Sequence, residues 1–494
     1  MKQCLDVLVP IITRIVNKSF STATVPTSFK LAAIIPILKK ANLIPDILKN
    51  FRPISNLSFV SKILEKVASI QLLSHKDHFS LREKFQSAYR EWHSTETALL
   101  RIHHDLLLAL DNKQCVFMAM LDLSAAFDTV SHEKLLSRLS TSLGITDLAL
   151  EWLKSYLTGR RQFVSIKGYK SKEHLKTCDV PQGSILGPNL YEDYSANPIG
   201  SIFRKHNISY HIYADDTQAY ICFNENNKER VLNQLEKCLD EVRMWMAANW
   251  LKLNDDKTEF IVFGSKKSLN NCKISSIKIG ESGVERVSSV KSIGAHLDSN
   301  LTMDKHVAAT CKSAWFHLHQ INKIKNYLSC DQLKSVILAY VISRIDQNNS
   351  LLIGLPKATV FKLQMIQNAC AKIIFRAKKF DHVTPLLKEL HWLPVEQRIT
   401  FKILLLVYKC LHGKAPAYLR ELLEEYVPSR SLRSASKGLL RIPERHYTST
   451  KRRDFAHRGP VEWNKLPKVI RDSDSINIFK RRLKTYLFRI VFSN

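Results

Sequence analysis

Two short stretches combine carboxylates with apolar surroundings in a way that could do chemistry. HIYADDTQAY (211–220) sets Asp215 and Asp216 side by side between aromatic and apolar runs, and LDLSAAFD (121–128) ends an apolar run in Asp122, with Asp128 six residues on. Charge placed where the pattern promises burial needs a compensating partner, because an unpaired buried carboxylate is costly. If the segment ending at Asp122 neighbours the segments around Asp215 and Asp216, the carboxylates converge. Such oxygen ligands suit magnesium, which binds through a few carboxylates, retained waters and substrate phosphates. Two such ions stabilise both the attacking and the leaving oxygen of an in-line phosphoryl displacement. A solvated Asp-rich turn explains the D-D dipeptide equally well when it is taken alone.

The elements that must position these groups can be read from periodicity. An apolar strand enters at ISYHIYA (208–214), A-D-D-T is expected to make a tight turn, and QAYICF leaves as a second strand, so the pair sits at a hairpin tip. Other β-rich runs, CVFMAML (115–121), QFVSI (162–166) and EFIVF (259–263), alternate with helical patterns through the first 300 residues. One helix carries Ala98, Ile102, Leu106 and Leu110 after Ser94 and Thr95; another carries Val231, Leu235, Leu239, Val242 and Met246. Beyond residue 300 strand signals fade, and CKSAWFHLHQINKIKNYL and ITFKILLLVYKCLHGK read as helices with basic outer faces. An α/β part is therefore followed by an α-rich one, and the polar, basic stretch from Tyr426 to Tyr447 reads as a linker or loop.

Composition narrows the partners. The 494 residues carry a formal charge of +29, which favours a polyanion, with nucleic acid ahead of an anionic membrane surface. The charge is uneven: 35 of the 74 Lys and Arg but only 14 of the 45 Asp and Glu lie from residue 301 onward. The longest apolar runs, such as ILLLVY (403–408), are too short to span a bilayer, and no membrane partner is expected. Ten cysteines without a C-x-x-C pair fit a reducing, intracellular compartment, nuclear or cytoplasmic. The clusters Lys451, Arg452, Arg453 and Lys480, Arg481, Arg482 suit either nucleic-acid contact or nuclear import.

With YADD at 213–216, LDLSAAFD at 121–128 and VPQGSILGP at 180–188, the chain resembles the reverse transcriptases of non-long-terminal-repeat (LINE-type) retrotransposons, the jockey-like branch in particular. FRPISNLSFVSKILEKV (51–67), QSAYR (86–90) and WLKLNDDKTEFIVF (250–263) agree in order and spacing. The resemblance runs from about residue 10 to about residue 310 and continues more weakly through the basic tail. It implies an α/β right-hand polymerase: a palm with an antiparallel sheet and packed helices, fingers, and an α-rich basic thumb and C-terminal region. The implied divisions are 1–110 (N-terminal helix and fingers), 111–300 (palm), 301–380 (thumb-like) and 381–494 (C-terminal), with the reverse transcriptase domain at about 20–300.

The resemblance also implies roles. Asp122, Asp215 and Asp216 become catalytic, metal-binding aspartates for magnesium, with manganese as a substitute. Phe127 falls where the family keeps an aromatic under the incoming sugar, although core packing alone would explain it. Gln182 and Gly183 match the loop near the nascent pair, or a plain Pro-Gln-Gly turn. Arg52, Lys39 and Lys40 resemble fingers residues that meet the triphosphate, and the lysines equally suit a solvated face. Lys257 falls near the leaving pyrophosphate, unless Asp255 or Asp256 pairs with it at a surface turn. Asp128 reads as a cap or turn residue. Implied partners are an RNA template, a DNA primer or target DNA, and a deoxynucleoside triphosphate.

Two features depart from the family pattern: NLYEDYSANPIG follows Pro188 where relatives continue with an apolar helix, and no nuclease fold or Cys-His knuckle precedes the polymerase motifs. The leading expectation is an RNA-directed DNA polymerase. A catalytically inactive nucleic-acid-binding remnant of a retroelement is the alternative, and VPQG and FRPIS argue against a nucleotide cyclase.

Overall fold

The run CVFMAML forms strand β1 (Cys115–Leu121), and every residue in it is buried. A strand buried on both faces needs two cores, and its alternate side chains enter different ones. Val116, Met118 and Met120 pack with the C-terminal helices, whereas Cys115, Phe117, Ala119 and Leu121 pack with the helices of the α/β part. Each fully buried apolar side chain contributes about 1.5–3 kcal/mol, so this strand is the seam of the molecule. The computed structural model describes residues 4–40, 42–124, 127–427, 438–444 and 453–492.

Around β1 lie β2 (Ser209–Tyr213), β3 (Asp216–Phe223), β4 (Glu259–Phe263), β5 (Ser276–Ile279) and β6 (Ser282–Val287). They form a six-stranded sheet in the order β5-β6-β4-β1-β3-β2, antiparallel except for the β4–β6 pair. The EFIVF run coincides with β4. One face is covered by the helices Gly187–Lys205 and Lys228–Ala248, the latter burying Val231, Leu235, Leu239, Val242 and Met246 as the period requires. The helix Thr95–Asp111 starts where Ser94 accepts a hydrogen bond from the Thr97 N–H in a capping box.

A separate sheet carries the antiparallel strands Leu31–Leu38 and Phe51–Asn56, with Arg161–Ile166 parallel to the first. After Asp298 the described chain is helical apart from an isolated Glu425–Leu440 bridge. The helices Asp304–Ile324, Lys357–Ile374, Val395–Leu411 and Ile476–Phe492 share one core with β1 and Thr95–Asp111. Polar ties reinforce this union. Glu96 accepts from the Ser350 hydroxyl at 2.6 Å and meets Lys402 Nζ at 3.2 Å. Tyr418 reaches Ser87 at 2.8 Å, and Ser87 reaches His211 of β2 at 2.8 Å. Residues 428–437 and 445–447 of the expected linker, and Lys451 and Arg452, lie outside the described residues.

Candidate active site

Strands β2 and β3 are joined through Ala214 and Asp215, with Tyr213 paired to Asp216 and Ala214 in the left-handed region at φ +60°. The turn is thus shorter than the A-D-D-T reading, because the ladder continues to Asp216 and draws it into β3. β1 pairs with β3 so that Leu121 faces Thr217. The ladder ends there; Asp122 and Asp216 are the next residues on the two sides, and both line one cavity. The three carboxylates come from distant segments and meet at one end of the sheet.

Their electrostatics record the meeting. Burial, then the charges of Asp215 and Asp122, push the Asp216 carboxyl up to about 6. Burial raises the Asp215 carboxyl too, Asp122 adds to the rise, and Lys257 and Arg52 oppose it. Lys257 Nζ donates to Asp122 Oδ2 at 2.7 Å, and the Asn254 backbone N–H donates to the Asp122 carbonyl at 2.9 Å. Lys257 therefore pairs with Asp122 rather than with its neighbours Asp255 or Asp256. A cavity of about 380 Å³ opens here, lined by Asp122, Asp216, Gln218, Asp256, Lys257 and Glu259 among others. Both amide atoms of the buried Gln218 lack a hydrogen-bond partner among the described residues.

The donor set is all oxygen and negatively charged, which fits hard divalent cations. Among the described residues no three such side chains are drawn into one closed ligand cage. Asp122 and Asp215 repel Asp216, and Lys257 is in contact with Asp122.

A family model described as "Reverse transcriptase (RNA-dependent DNA polymerase)" matches residues 37–297, more than half of the chain. The chain belongs to the reverse transcriptase family. Curated relatives bear out the resemblance to the jockey-like branch. The RNA-directed DNA polymerase from mobile element jockey of Drosophila melanogaster is 30% identical over 299 residues, 59% of this chain and 31% of that protein. The probable RNA-directed DNA polymerase from transposon BS, also of Drosophila melanogaster, is 28% identical over 386 residues, 76% of this chain and 41% of that protein. The chain thus spans less than half the length of these relatives. Among solved structures, apo telomerase from Candida tropicalis matches with a TM-score of 0.38 at 12% identity, over 74% of this chain and 66% of that one. The fold class is that of a right-hand polymerase, and the matched segment contains the whole six-stranded sheet that bears the carboxylates.

Within this reverse transcriptase fold the remaining expected residues fall at different distances from the carboxylates. Arg52, exposed and opposite Ile37 on its strand, is near enough to act on Asp215. Lys39 Nζ donates to the Lys49 carbonyl at 2.7 Å, and the exposed Lys40 accepts from the Leu43 N–H at 3.1 Å through its carbonyl. Gln182 accepts from the Ser55 N–H at 2.8 Å, which docks the VPQGS loop on the Phe51–Asn56 strand. Gly183, at φ +121°, comes so close that an added Cβ would stand 2.7 Å from the Ser55 carbonyl oxygen. Phe127 is half-buried, its carbonyl accepts from the Val180 N–H at 3.0 Å, and its ring stacks on Tyr191. Asp128 lies in a turn, and Ser131 is the residue that caps the next helix.

The stretch after Pro188 is helical after all, within Gly187–Lys205. Its Glu192 and Asp193 are buried against Lys76, which is 0% exposed. The helix tolerates acidic residues because a lysine from Phe59–His78 supplies the counter-charge; Glu65 of that helix also accepts from the Ile185 N–H at 2.6 Å. Sequence reasoning also passed over Tyr89 of QSAYR, exposed, left-handed at φ +58° and close enough to Asp215 to feel its charge. An aromatic inside a quoted motif was the signal that could have found it.

Proposed function

We propose that the chain is an RNA-directed DNA polymerase that extends a DNA 3′-hydroxyl by attack on the α-phosphate of a deoxynucleoside triphosphate, copying RNA. The observation that carries this reading is the convergence of Asp122, Asp215 and Asp216, with Lys257 closed on Asp122, inside the matched family segment. In it, Asp122, Asp215 and Asp216 hold magnesium, or manganese in its place. When bound, such ions supply charge neutralisation for the attacking and leaving oxygens. The chain's own groups do the rest. Lys257 and Arg52 present positive charge to the phosphates, with Lys39 and Lys40 further out on the fingers hairpin. Phe127 lies beneath the sugar and excludes a 2′-hydroxyl by bulk, and Gln182 and Gly183 flank the nascent pair.

The same reading assigns 1–110 to the N-terminal helix and fingers, 111–300 to the palm, 301–380 to the thumb and 381–494 to a basic region that grips RNA template and DNA primer or target. No described helix is long and apolar enough to cross a membrane. Ten free cysteines accord with a reducing compartment, nuclear or cytoplasmic.

The test is magnesium-dependent extension of a DNA primer on RNA by purified protein. Asp122→Asn and Asp215→Asn are each expected to lower the rate by roughly a thousandfold. Robust synthesis by either variant would contradict the assignment.

A further inference from the structure

Phe127 can discriminate sugars only if its ring is held still, and little of that constraint comes from its own strand. It follows β1 in a turn, and its described backbone tie is the hydrogen bond from the Val180 N–H to its carbonyl at 3.0 Å. The ring itself is half-buried. What covers one face of it is Tyr191, whose ring centroid lies 4.6 Å away at an interplanar angle of 21°. A near-parallel stack at that distance closes the Tyr191 side of the Phe127 ring.

Tyr191 is in turn well fixed. It is 1% exposed and sits in the helix Gly187–Lys205, whose first turn is bonded to Glu65 and Ser184. Burial, and then the charge of Asp215, hold the proton on its hydroxyl, so the residue also borders the carboxylate site. The neighbours on the helix, Glu192 and Asp193, are locked by the buried Lys76. A rigid platform therefore stands directly beneath the residue that meets the sugar.

We infer that Tyr191 is a positioning residue for sugar selection: its ring backs Phe127, and the strength with which ribonucleotides are rejected depends on that backing. This rests on the polymerase reading and on the place of Phe127 in it. Aromatic area, not the hydroxyl, is the working part. Tyr191→Phe should behave as the wild type. Tyr191→Met fills much of the same space with a flexible chain that has no flat face, and should let Phe127 give way to a 2′-hydroxyl.

The experiment measures kcat/KM for dCTP and for rCTP opposite template G with the wild type, Tyr191→Phe, Tyr191→Met, Phe127→Leu and the Phe127→Leu/Tyr191→Met double variant. Thermal melting confirms that each is folded. The expected result is a loss of discrimination of at least about tenfold in Tyr191→Met, no change in Tyr191→Phe, and a double variant no less selective than Phe127→Leu alone. A Tyr191→Met enzyme that keeps the wild-type ratio overturns the inference, as does a double variant in which the two effects multiply. If Tyr191→Met does not fold, Tyr191→Leu carries the same comparison. A wild type that extends with dCTP but does not discriminate removes the role of Phe127 and this inference with it. A wild type that extends with neither nucleotide overturns the polymerase reading itself.

Discussion

Lys257 Nζ stands 2.7 Å from Asp122 Oδ2, and this ion pair sets the charge of the whole site. The lysine lowers the proton affinity of Asp215 and Asp216, while Asp122 raises both and Asp215 raises that of Asp216 further. It must also compete with any cation that approaches Asp122. Lys257→Met should therefore bind manganese roughly three- to tenfold more tightly in the absence of nucleotide, since a unit positive charge a few ångströms away is gone. Extension should nevertheless slow, because the triphosphate loses the same cation. Calorimetric manganese titration and primer extension read the two effects separately, and unchanged affinity would show that Lys257 does not govern the site.

The docking of the VPQGS loop has little slack. Gly183 lies at φ +121°, and a methyl group there would stand 2.7 Å from the Ser55 carbonyl oxygen. Gly183→Ala is expected to cost about 1–3 kcal/mol of stability and to raise the KM for nucleotide several-fold by lifting the loop off the fingers strand. A melting scan with steady-state kinetics checks both. An alanine variant with wild-type stability would mean that the loop shifts freely.

Much of this arrangement was legible because it is local. EFIVF became β4 residue for residue, and the helix after Ser94 starts at its capping box. The carboxylates were legible for a related reason: each sits in a short motif at the end of an apolar run. What stayed hidden is pairing across long separations, which leaves no periodic mark. The strand Leu31–Leu38 pairs in parallel with Arg161–Ile166. Periodicity marks a buried face but does not name what covers it, so neither Tyr191 beneath Phe127 nor the core shared by β1 and the C-terminal helices could be read from spacing. The acidic pair after Pro188 is similar, since the lysine that accommodates it lies 117 residues away.

That lysine makes a sharp stability test. Lys76 is fully buried between Glu192 and Asp193, and burial above all pushes the Asp193 carboxyl up to about 6. Removing one partner leaves carboxylates without their counter-ion in a low dielectric. Lys76→Met should destabilise the protein by about 3–5 kcal/mol. The triple variant Lys76→Met/Glu192→Leu/Asp193→Leu should recover most of that stability, because apolar groups of similar volume replace the whole cluster. Urea denaturation distinguishes the two. Equal destabilisation in both variants would mean that shape, not charge, decides.

The C-terminal helices bring Lys409 up to the segment that carries Tyr89. Lys409 lies 6.0 Å from the centre of the Trp92 ring, three residues beyond Tyr89. Burial, then Lys480 and Lys402, lower its proton affinity; burial, then Arg398 and Lys334, do the same for Lys484. Each of these two groups of like charges, one around Lys409 and one around Lys484, is stabilised by phosphates. Replacing Lys409, Lys480 and Lys484 by Gln should weaken binding of an RNA–DNA duplex. The slope of log affinity against log salt should fall by about 0.7–0.9 for each phosphate that is no longer neutralised. Fluorescence anisotropy over a salt series checks this, and an unchanged slope would remove these lysines from the binding path.

Acid should act on the hairpin's support through His211. Burial, then Arg101 and His93, lower its imidazole to about 3 from an unfolded value near 6.5. Its contribution is therefore fully present above pH 6.5 and disappears as pH falls through the interval down to about 3, since the unfolded chain binds the extra proton there. His93 and His306, each lowered to about 4, and His103, lowered to about 3, act in the same sense. Asp193 and Asp216, both raised to about 6, act in the opposite sense between about 3.8 and 6. The whole-protein curve mixes these signs, so the informative quantity is the difference between the wild type and His211→Gln. The variant should gain on the wild type by up to about 1.4 kcal/mol for each unit that pH falls below 6.5. Urea midpoints at pH 7, 6, 5 and 4 measure it, and two parallel curves would show that the imidazole titrates alike in the folded and unfolded chains.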